Sequence, residues 1–136
     1  MLMTMLITTC AWGAKPSNKP SDTTPPNPRV IRQPAENKLT PLNKMILMRH
    51  AKFLNTHPNW SLQIQGHTDE RESREYNIGI AELHATRIYQ ELIKLGVATN
   101  RLEIESFGEE HPLCTAHTPI CWQRNRRVEL VYKHDY

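Results

Sequence analysis

A strand, helix and strand pattern in the middle of the chain constrains the fold more than any other feature. Apolar residues recur at intervals of three and four between Ile78 and Leu95, which predicts an amphipathic helix, and Gly96 stands where a C′ glycine ends a helix. Apolar and polar residues alternate over residues 60–66 and 102–106, and this alternation predicts a strand on each side of the helix. Two strands joined through a helix predict a parallel βαβ crossover.

The flanking segments add one helix and two strands. Thr40-Pro41 is typical of an N-cap followed by proline in the first turn, and helical spacing then continues until Pro58. Residues 128–132 alternate and predict a strand, whereas residues 29–33 predict a short edge strand. We therefore expect an α/β domain of the α+β two-layer type, with its helices packed on one face of a small mixed sheet.

The composition limits the chain to one small domain. It has 136 residues and a mass of 15.8 kDa, with 38% hydrophobic residues and a mean hydropathy of −0.61, which leaves room for one core plus some unfolded peptide. Seventeen Lys and Arg against fourteen Asp and Glu give a net charge of +3. Because the two signs are interspersed, we expect no nucleic-acid partner. No run of about 20 apolar residues predicts a transmembrane helix, and no Gly-rich loop predicts a nucleotide cofactor.

Residues 1–14 form a mostly apolar run with the length of a signal-peptide hydrophobic region, although no Lys or Arg precedes it. The run contains Ile7-Thr8-Thr9-Cys10, an aliphatic residue and two small ones before a cysteine. This segment resembles a bacterial lipobox, except that Thr9 stands where Gly, Ala or Ser is usual. We expect export and a lipid on Cys10; the alternative is an ordinary buried segment.

Residues 15–28 are rich in proline and polar side chains and show no apolar periodicity. We interpret them as a linker, because Pro-rich chain extends by about 3.1 Å per residue and such a segment can span roughly 40 Å. The alternative is a disordered tail with no spacing role. In either case, the folded domain is expected over residues 29–136.

Three short motifs carry a resemblance to a known family. They are Gly-His-Thr-Asp-Glu-Arg at residues 66–71, Glu-Tyr-Asn at 75–77 and Asn-Arg-Arg-Val at 125–128. Together, and in this order, they resemble the OmpA-like carboxy-terminal domain, most closely its peptidoglycan-associated lipoprotein branch. The resemblance implies a βαβαβ(α)β fold and a noncatalytic periplasmic module that grips the diaminopimelate stem peptide of peptidoglycan while a lipid anchors it in the outer membrane. It also implies TolB or another Tol-system protein as a partner.

The resemblance identifies candidate binding residues in the loop after the second strand. Asp69 matches the family aspartate that accepts the ammonium of diaminopimelate, although it could instead cap the following segment. Thr68 and Arg71 match neighbouring family positions, and Arg71 could equally belong to a solvated run of charges. Asn77 is expected to order the loop by hydrogen bonds rather than to contact ligand.

The cationic side of the family site is altered. Fifteen residues after Asp69 the family has an arginine that binds the ligand carboxylate, whereas this chain has His84, which offers no bidentate fork. We expect weaker binding that strengthens between about pH 7 and pH 5.5, or a protein-interaction module that has lost wall binding. Arg87, one turn further on, could partly substitute. In the Asn-Arg-Arg-Val motif we expect Arg126 near the site; the alternative is a structural salt-bridge role for both Arg126 and Arg127.

The loop before the last strand contains the pattern His111-x-x-Cys114-x-x-His117-x-x-x-Cys121. Its residue types are compatible with tetrahedral zinc or with a disulfide. The resemblance favours a Cys114–Cys121 disulfide, because several family members carry a cysteine pair here, and we then expect no metal. No catalytic residues are expected, since the acidic and hydroxyl side chains near residue 69 belong to a binding loop.

Overall fold

The structure is a computed structural model that describes Gly13 and residues 23–32 and 38–135. Apart from Gly13, the expected signal segment with its lipid site at Cys10 lies outside these residues, as does most of the expected linker. The regular elements, in chain order, are β1 (Val30–Arg32), α1 (Pro41–Thr56), β2 (Trp60–His67), α2 (Arg74–Lys94), a 3-10 turn (Thr99–Arg101), β3 (Leu102–Gly108), α3 (Pro119–Asn125) and β4 (Arg127–His134). None of the helices in the described part of the chain is long and apolar enough to cross a membrane.

The four strands form one mixed sheet in the order β1-β4-β2-β3. β2 and β3 run parallel, with α2 connecting them, so the predicted βαβ crossover is confirmed. β4 lies antiparallel to both of its neighbours, β1 and β2. β1 is therefore an edge strand, as predicted, and the α/β two-layer fold class is confirmed.

Local signals explain where the two long helices begin and end. Thr40 Oγ1 accepts a hydrogen bond from the backbone N–H of Asn43 at 3.1 Å, and Pro41 occupies the first turn, as predicted. α2 begins after Ser73, whose hydroxyl accepts from the backbone N–H of Tyr76. Its last turn is followed by Gly96 at φ 91°, the left-handed conformation that glycine adopts at a helix C-terminus.

The hydrophobic core lies between the sheet and the two long helices. Strand residues such as Ile64 and Leu130 point to this face, while their sequence neighbours point to the other face of the sheet. The helices contribute Leu47, Leu54 and Ile88 among others. The helices thus cover one face of the sheet. The loops at the carboxyl ends of β2 and β3 lie at the end of the sheet, outside this core, where they can form a site.

Gly66 sets the distance between β2 and α2 immediately before that site. A Cβ atom at residue 66 would lie 2.1 Å from the carbonyl oxygen of Ala81, far inside van der Waals contact. The backbones of strand and helix therefore meet here without an intervening side chain. This close approach positions the end of β2 against the first half of α2.

Candidate functional site

The candidate site lies at the carboxyl end of β2, where the chain turns into α2. The register between β2 and β3 shifts at Gly66 and His67, and the backbone N–H of Thr68 then donates to Gly108 O at 2.8 Å. The next five residues form a loop that ends at the N-cap Ser73. Loops at the carboxyl ends of strands are common ligand sites in α/β folds.

Asp69 is the centre of the charged network in this loop. Its carboxylate oxygen Oδ1 accepts from Arg71 backbone N at 3.0 Å and from Arg71 Nε at 3.2 Å. Oδ2 accepts from Arg71 Nη2 at 2.8 Å and from Arg126 Nη1 at 2.9 Å. Asp69 therefore caps the local turn, as the alternative expected, and also forms ion pairs with Arg71 and Arg126.

The electrostatics of this network keep Asp69 ionised. Burial raises the pKa of its carboxyl group, but the hydrogen bonds from Arg71 and Arg126 outweigh burial and lower the pKa to about 2. The side chain of Asp69 is 9% exposed, whereas those of Arg71 and Arg126 are 49% and 35% exposed. The buried Asp69 carboxylate is thus paired with two guanidinium groups, of Arg71 and Arg126, that remain accessible to solvent.

A cavity of about 270 Å³ opens beside this ion-pair network. It combines charged, amide and aromatic side chains from the β2 loop, α2 and the start of β4. The lining residues are His67, Thr68, Asp69, Arg71, Glu72, Tyr76, Asn77, Ile80, His84 and Arg126. Six of the seven predicted binding residues therefore lie together around one cavity.

Thr68, Asn77 and His84 form the inner wall of the cavity. Asn77 Nδ2 donates to Glu72 O at 3.2 Å, which orders the loop as expected. Thr68 Oγ1 and His84 Nδ1 are buried and have no hydrogen-bond partner among the described residues. Two buried polar atoms of the lining residues thus have unused hydrogen-bonding capacity.

The environment of His84 changes the expected pH dependence. Burial, together with the positive charge of Arg87, lowers the pKa of the His84 imidazole from 6.5. The expected window between pH 7 and pH 5.5 assumed an unperturbed histidine. In the structure, protonation of His84 begins at a lower pH, and the imidazole is neutral at pH 7.

Arg87 is the predicted site residue that does not line this cavity. It lines a separate cavity between the two long helices, with Lys44 and Lys94. Arg127, by contrast, is buried and bonds to Glu129 and to the carbonyl of His111. Of the two adjacent arginines, only Arg126 lines the cavity.

The prediction omitted several residues around the site. His67 lies between the cavity and Phe107, on which its ring stacks, and burial lowers its pKa to about 4. The Trp122 ring lies under the Arg71 guanidinium at 4.8 Å, and its Nε1 donates to Glu70 Oε1. His67 belongs to the quoted motif and could have been found there, but no local signal connects Trp122 with a loop far away in sequence.

A Cys114–Cys121 disulfide joins the loop before α3 to the first turn of α3, which confirms the predicted pairing. Asn125 Oδ1 accepts from the backbone N–H groups of Leu113 and Cys114, and its Nδ2 donates to Cys114 O. The asparagine of the Asn-Arg-Arg-Val motif therefore fastens this loop beside Arg126. Across residues 23–32 and 38–135, no group of three or more His, Cys, Asp or Glu side chains is placed to hold a metal ion.

Comparison with known proteins identifies one family and relatives that share one name. The OmpA family matches residues 33–126. The chain is 38% identical over 85 residues to a peptidoglycan-associated lipoprotein of Brucella melitensis, covering 62% of this chain and 51% of the relative. It is 40% identical over 83 residues to the Legionella pneumophila peptidoglycan-associated lipoprotein, covering 61% and 47%. The chain thus spans about half the length of these curated relatives.

A solved structure covers more of the fold. The crystal structure of the peptidoglycan-associated lipoprotein from Burkholderia pseudomallei superposes with a TM-score of 0.77 at 32% identity. The match covers 83% of this chain and 97% of that one. The sequence match and the shared fold together establish that this chain belongs to the OmpA family.

Proposed function

We propose that this protein is a noncatalytic wall anchor. Its domain binds the diaminopimelate stem peptide of peptidoglycan noncovalently in the periplasm, and a lipid on Cys10 holds the chain in the outer membrane. The names of the relatives, peptidoglycan-associated lipoproteins, support association with the wall. The stem peptide, the lipid and a Tol-system partner such as TolB are our extension from the family resemblance.

The observation that carries the proposal is the charge arrangement of the cavity at the end of β2. A buried carboxylate, Asp69, stands beside the accessible guanidinium groups of Arg71 and Arg126. The free end of a diaminopimelate side chain is a zwitterion, with an ammonium and a carboxylate on one carbon. An anion next to two cations is the complement of that group.

The existing ion pairs suggest that binding proceeds by exchange. Both oxygens of Asp69 already accept hydrogen bonds from arginine. When a zwitterion enters the cavity, its ammonium group displaces one arginine guanidinium from the Asp69 carboxylate. The displaced guanidinium then pairs with the carboxylate of the ligand. Arg71 is the better candidate to move, since about half of its side chain is exposed.

His84 contributes a neutral group to this mechanism. Its pKa is lowered by burial and by Arg87, so at pH 7 it offers a hydrogen bond but no positive charge. The cationic pole is therefore Arg126 with Arg71, and it lies on the loop side of the cavity. Arg87 lines a different cavity, and its positive charge acts on this site through His84.

Cosedimentation of the purified chain with insoluble diaminopimelate-type peptidoglycan at pH 7 tests the proposal. We expect the wild-type chain to pellet with the wall and Asp69→Asn to lose about tenfold in affinity or more, because the asparagine has no charge for the ammonium. Glu103→Gln is the matched control, since it removes a carboxylate on β3 whose ion pair in the described part of the chain is with exposed Lys133. Equal binding by both variants would contradict the assignment of Asp69.

A protein-interaction module is the second candidate, and one observation favours it. Leu113, just before the disulfide ring, and Ile120, within that ring, are 59% and 72% exposed, and Asn125 holds this segment beside Arg126. Exposed apolar side chains beside a polar site are suited to a protein partner. A folded wild-type chain that fails to cosediment would favour this function over wall binding.

A further inference from the structure

A second cavity, of about 320 Å³, lies between the start of α1 and the second half of α2. Four of the residues that line it are cationic: Lys38, Lys44, Arg87 and Lys94. Glu91 is the only carboxylate among the described lining residues, which also include Leu39 and Gln90. We call this the basic cavity, and it is separate from the cavity that contains Asp69.

The cations of the basic cavity outnumber its carboxylate and form no close ion pair within the described structure. None of the four forms an ion pair with another described residue. The Nη1 atom of Arg87 is also buried without a hydrogen-bond partner in that part of the chain. A buried guanidinium N–H without an acceptor is costly, and like charges that converge on one cavity repel one another. An anion in the cavity lowers the repulsion between these charges and offers an acceptor to the Arg87 guanidinium.

We propose that the basic cavity binds a phosphate group. Four cations against one carboxylate match an anion with more than one charge better than a single carboxylate. The planar guanidinium of Arg87 can donate two parallel hydrogen bonds to an oxyanion, while the lysines act as point charges around it. The Gln90 amide supplies a neutral donor at the same wall.

The phosphate could be a free solute or the headgroup of an anionic lipid. α1 has no acidic residue, and three large apolar side chains on it, Leu42, Met45 and Met48, are more than half exposed. A helix with exposed apolar residues and cations but no anions is suited to a negatively charged lipid surface. The two sources share the same recognition chemistry and are separated by experiment.

Calorimetric titration of the full chain with inorganic phosphate, at low ionic strength and slightly alkaline pH, tests the site. We expect saturable binding with one phosphate per chain and a loss of about tenfold in affinity in Arg87→Gln, since one charge-assisted hydrogen-bonding group is removed. Lys94→Gln should also weaken binding. Lys52→Gln is the matched control, because it removes one positive charge from the exposed face of α1 outside the cavity.

Two results would overturn the proposal. One is phosphate binding that never saturates, and the other is an equal loss in Arg87→Gln and Lys52→Gln, which would indicate unspecific attraction to a basic surface. Circular dichroism melting curves check that each variant is folded. The Nη1 atom of Arg87 has no partner to lose, so we expect Arg87→Gln to fold normally.

Flotation with vesicles distinguishes the two sources. If the phosphate belongs to a lipid, vesicles of phosphatidic acid and phosphatidylcholine should bind the chain, and vesicles of phosphatidylcholine alone should not. Leu42→Ser combined with Met45→Ser should then weaken vesicle binding and leave binding of inorganic phosphate unchanged. Phosphate binding without vesicle binding would assign the cavity to a soluble phosphate.

Discussion

Replacement of Asp69 by asparagine should make the fold less stable in a way that depends on pH. The pKa of Asp69 is lowered from 3.8 to about 2 because arginine hydrogen bonds outweigh the effect of burial. This difference corresponds to roughly 2 kcal/mol of stability at neutral pH. Solvent around the half-exposed Arg71 screens part of it, so we expect a loss of about 1 to 2 kcal/mol in Asp69→Asn.

The sign of the pH dependence follows from the direction of the shift. A carboxyl group whose pKa is lower in the folded state than in the unfolded state stabilises the fold above its unfolded pKa. That contribution is lost as the pH falls from about 4 through about 2, because Asp69 is protonated first in the unfolded state and then in the folded state. The wild type and Asp69→Asn should therefore differ at pH 7 and converge near pH 2.

Urea denaturation followed by circular dichroism measures this difference. The free energy of unfolding of both proteins is determined at pH 7, 5, 4 and near 2, with Glu103→Gln as the control for removal of an exposed carboxylate. Asparagine keeps an oxygen that can accept from the Arg71 backbone N–H, so the local turn is preserved. A difference that stays constant down to the lowest pH would refute the reasoning, because it would come from packing and not from charge.

Other substitutions probe the fold and the site. Gly66→Ala should lower the melting temperature sharply, by the equivalent of about 3 kcal/mol, because its Cβ would meet backbone at 2.1 Å; Gly79→Ala, with nothing within 4 Å, should instead raise it. His84→Arg should increase peptidoglycan affinity at pH 7, and no gain would mean that other arginines already supply the contact. Any strengthening of wild-type wall binding by protonation of His84 should have its midpoint below the ordinary histidine value of 6.5, since burial and Arg87 lower the pKa of His84; a midpoint at or above 6.5 would contradict this. Cys114→Ser with Cys121→Ser should lower stability by about 2 kcal/mol in urea, and an unchanged midpoint would show that Asn125 alone holds the loop.

The sequence predicted the strands and helices correctly where apolar residues recur at the period of the element and pack against the core. The alternation at Ile64 and the helical spacing around Ile88 reflect burial against one layer, so the residue types follow the geometry directly. The start of α2 was less predictable. Its first residues are charged and exposed, and only the side-chain cap of Ser73 marks the beginning of the helix.

The sequence located most of the site but not the placement of its cations. Asp69 and Arg126 are 57 residues apart in the chain, and their pairing rests on the register of β4 beside β2. The structure places Arg87 at another cavity for a different reason. A residue three positions after His84 lies about 4.5 Å further along the helix, and there α2 borders α1 instead of the loop after β2. A shared helix side therefore does not imply a shared cavity.

The self-paired state of Asp69 has a consequence for selectivity in the proposed mechanism. A ligand with only an amine can displace Arg71 from Asp69, but the Arg71 guanidinium then has no anion to pair with. A ligand with only a carboxylate can attract Arg71, but the Asp69 carboxylate then loses hydrogen-bond donors. A zwitterion supplies an ammonium for Asp69 and a carboxylate for Arg71 together, so both protein charges stay paired. Because the site carries its own counter-ions, it should reject ligands with a single charge, while His84 adds a hydrogen bond without disturbing the balance. Diaminopimelate should therefore compete with peptidoglycan for the site, whereas cadaverine and pimelate, which carry only one kind of charge, should compete poorly even when they are added together.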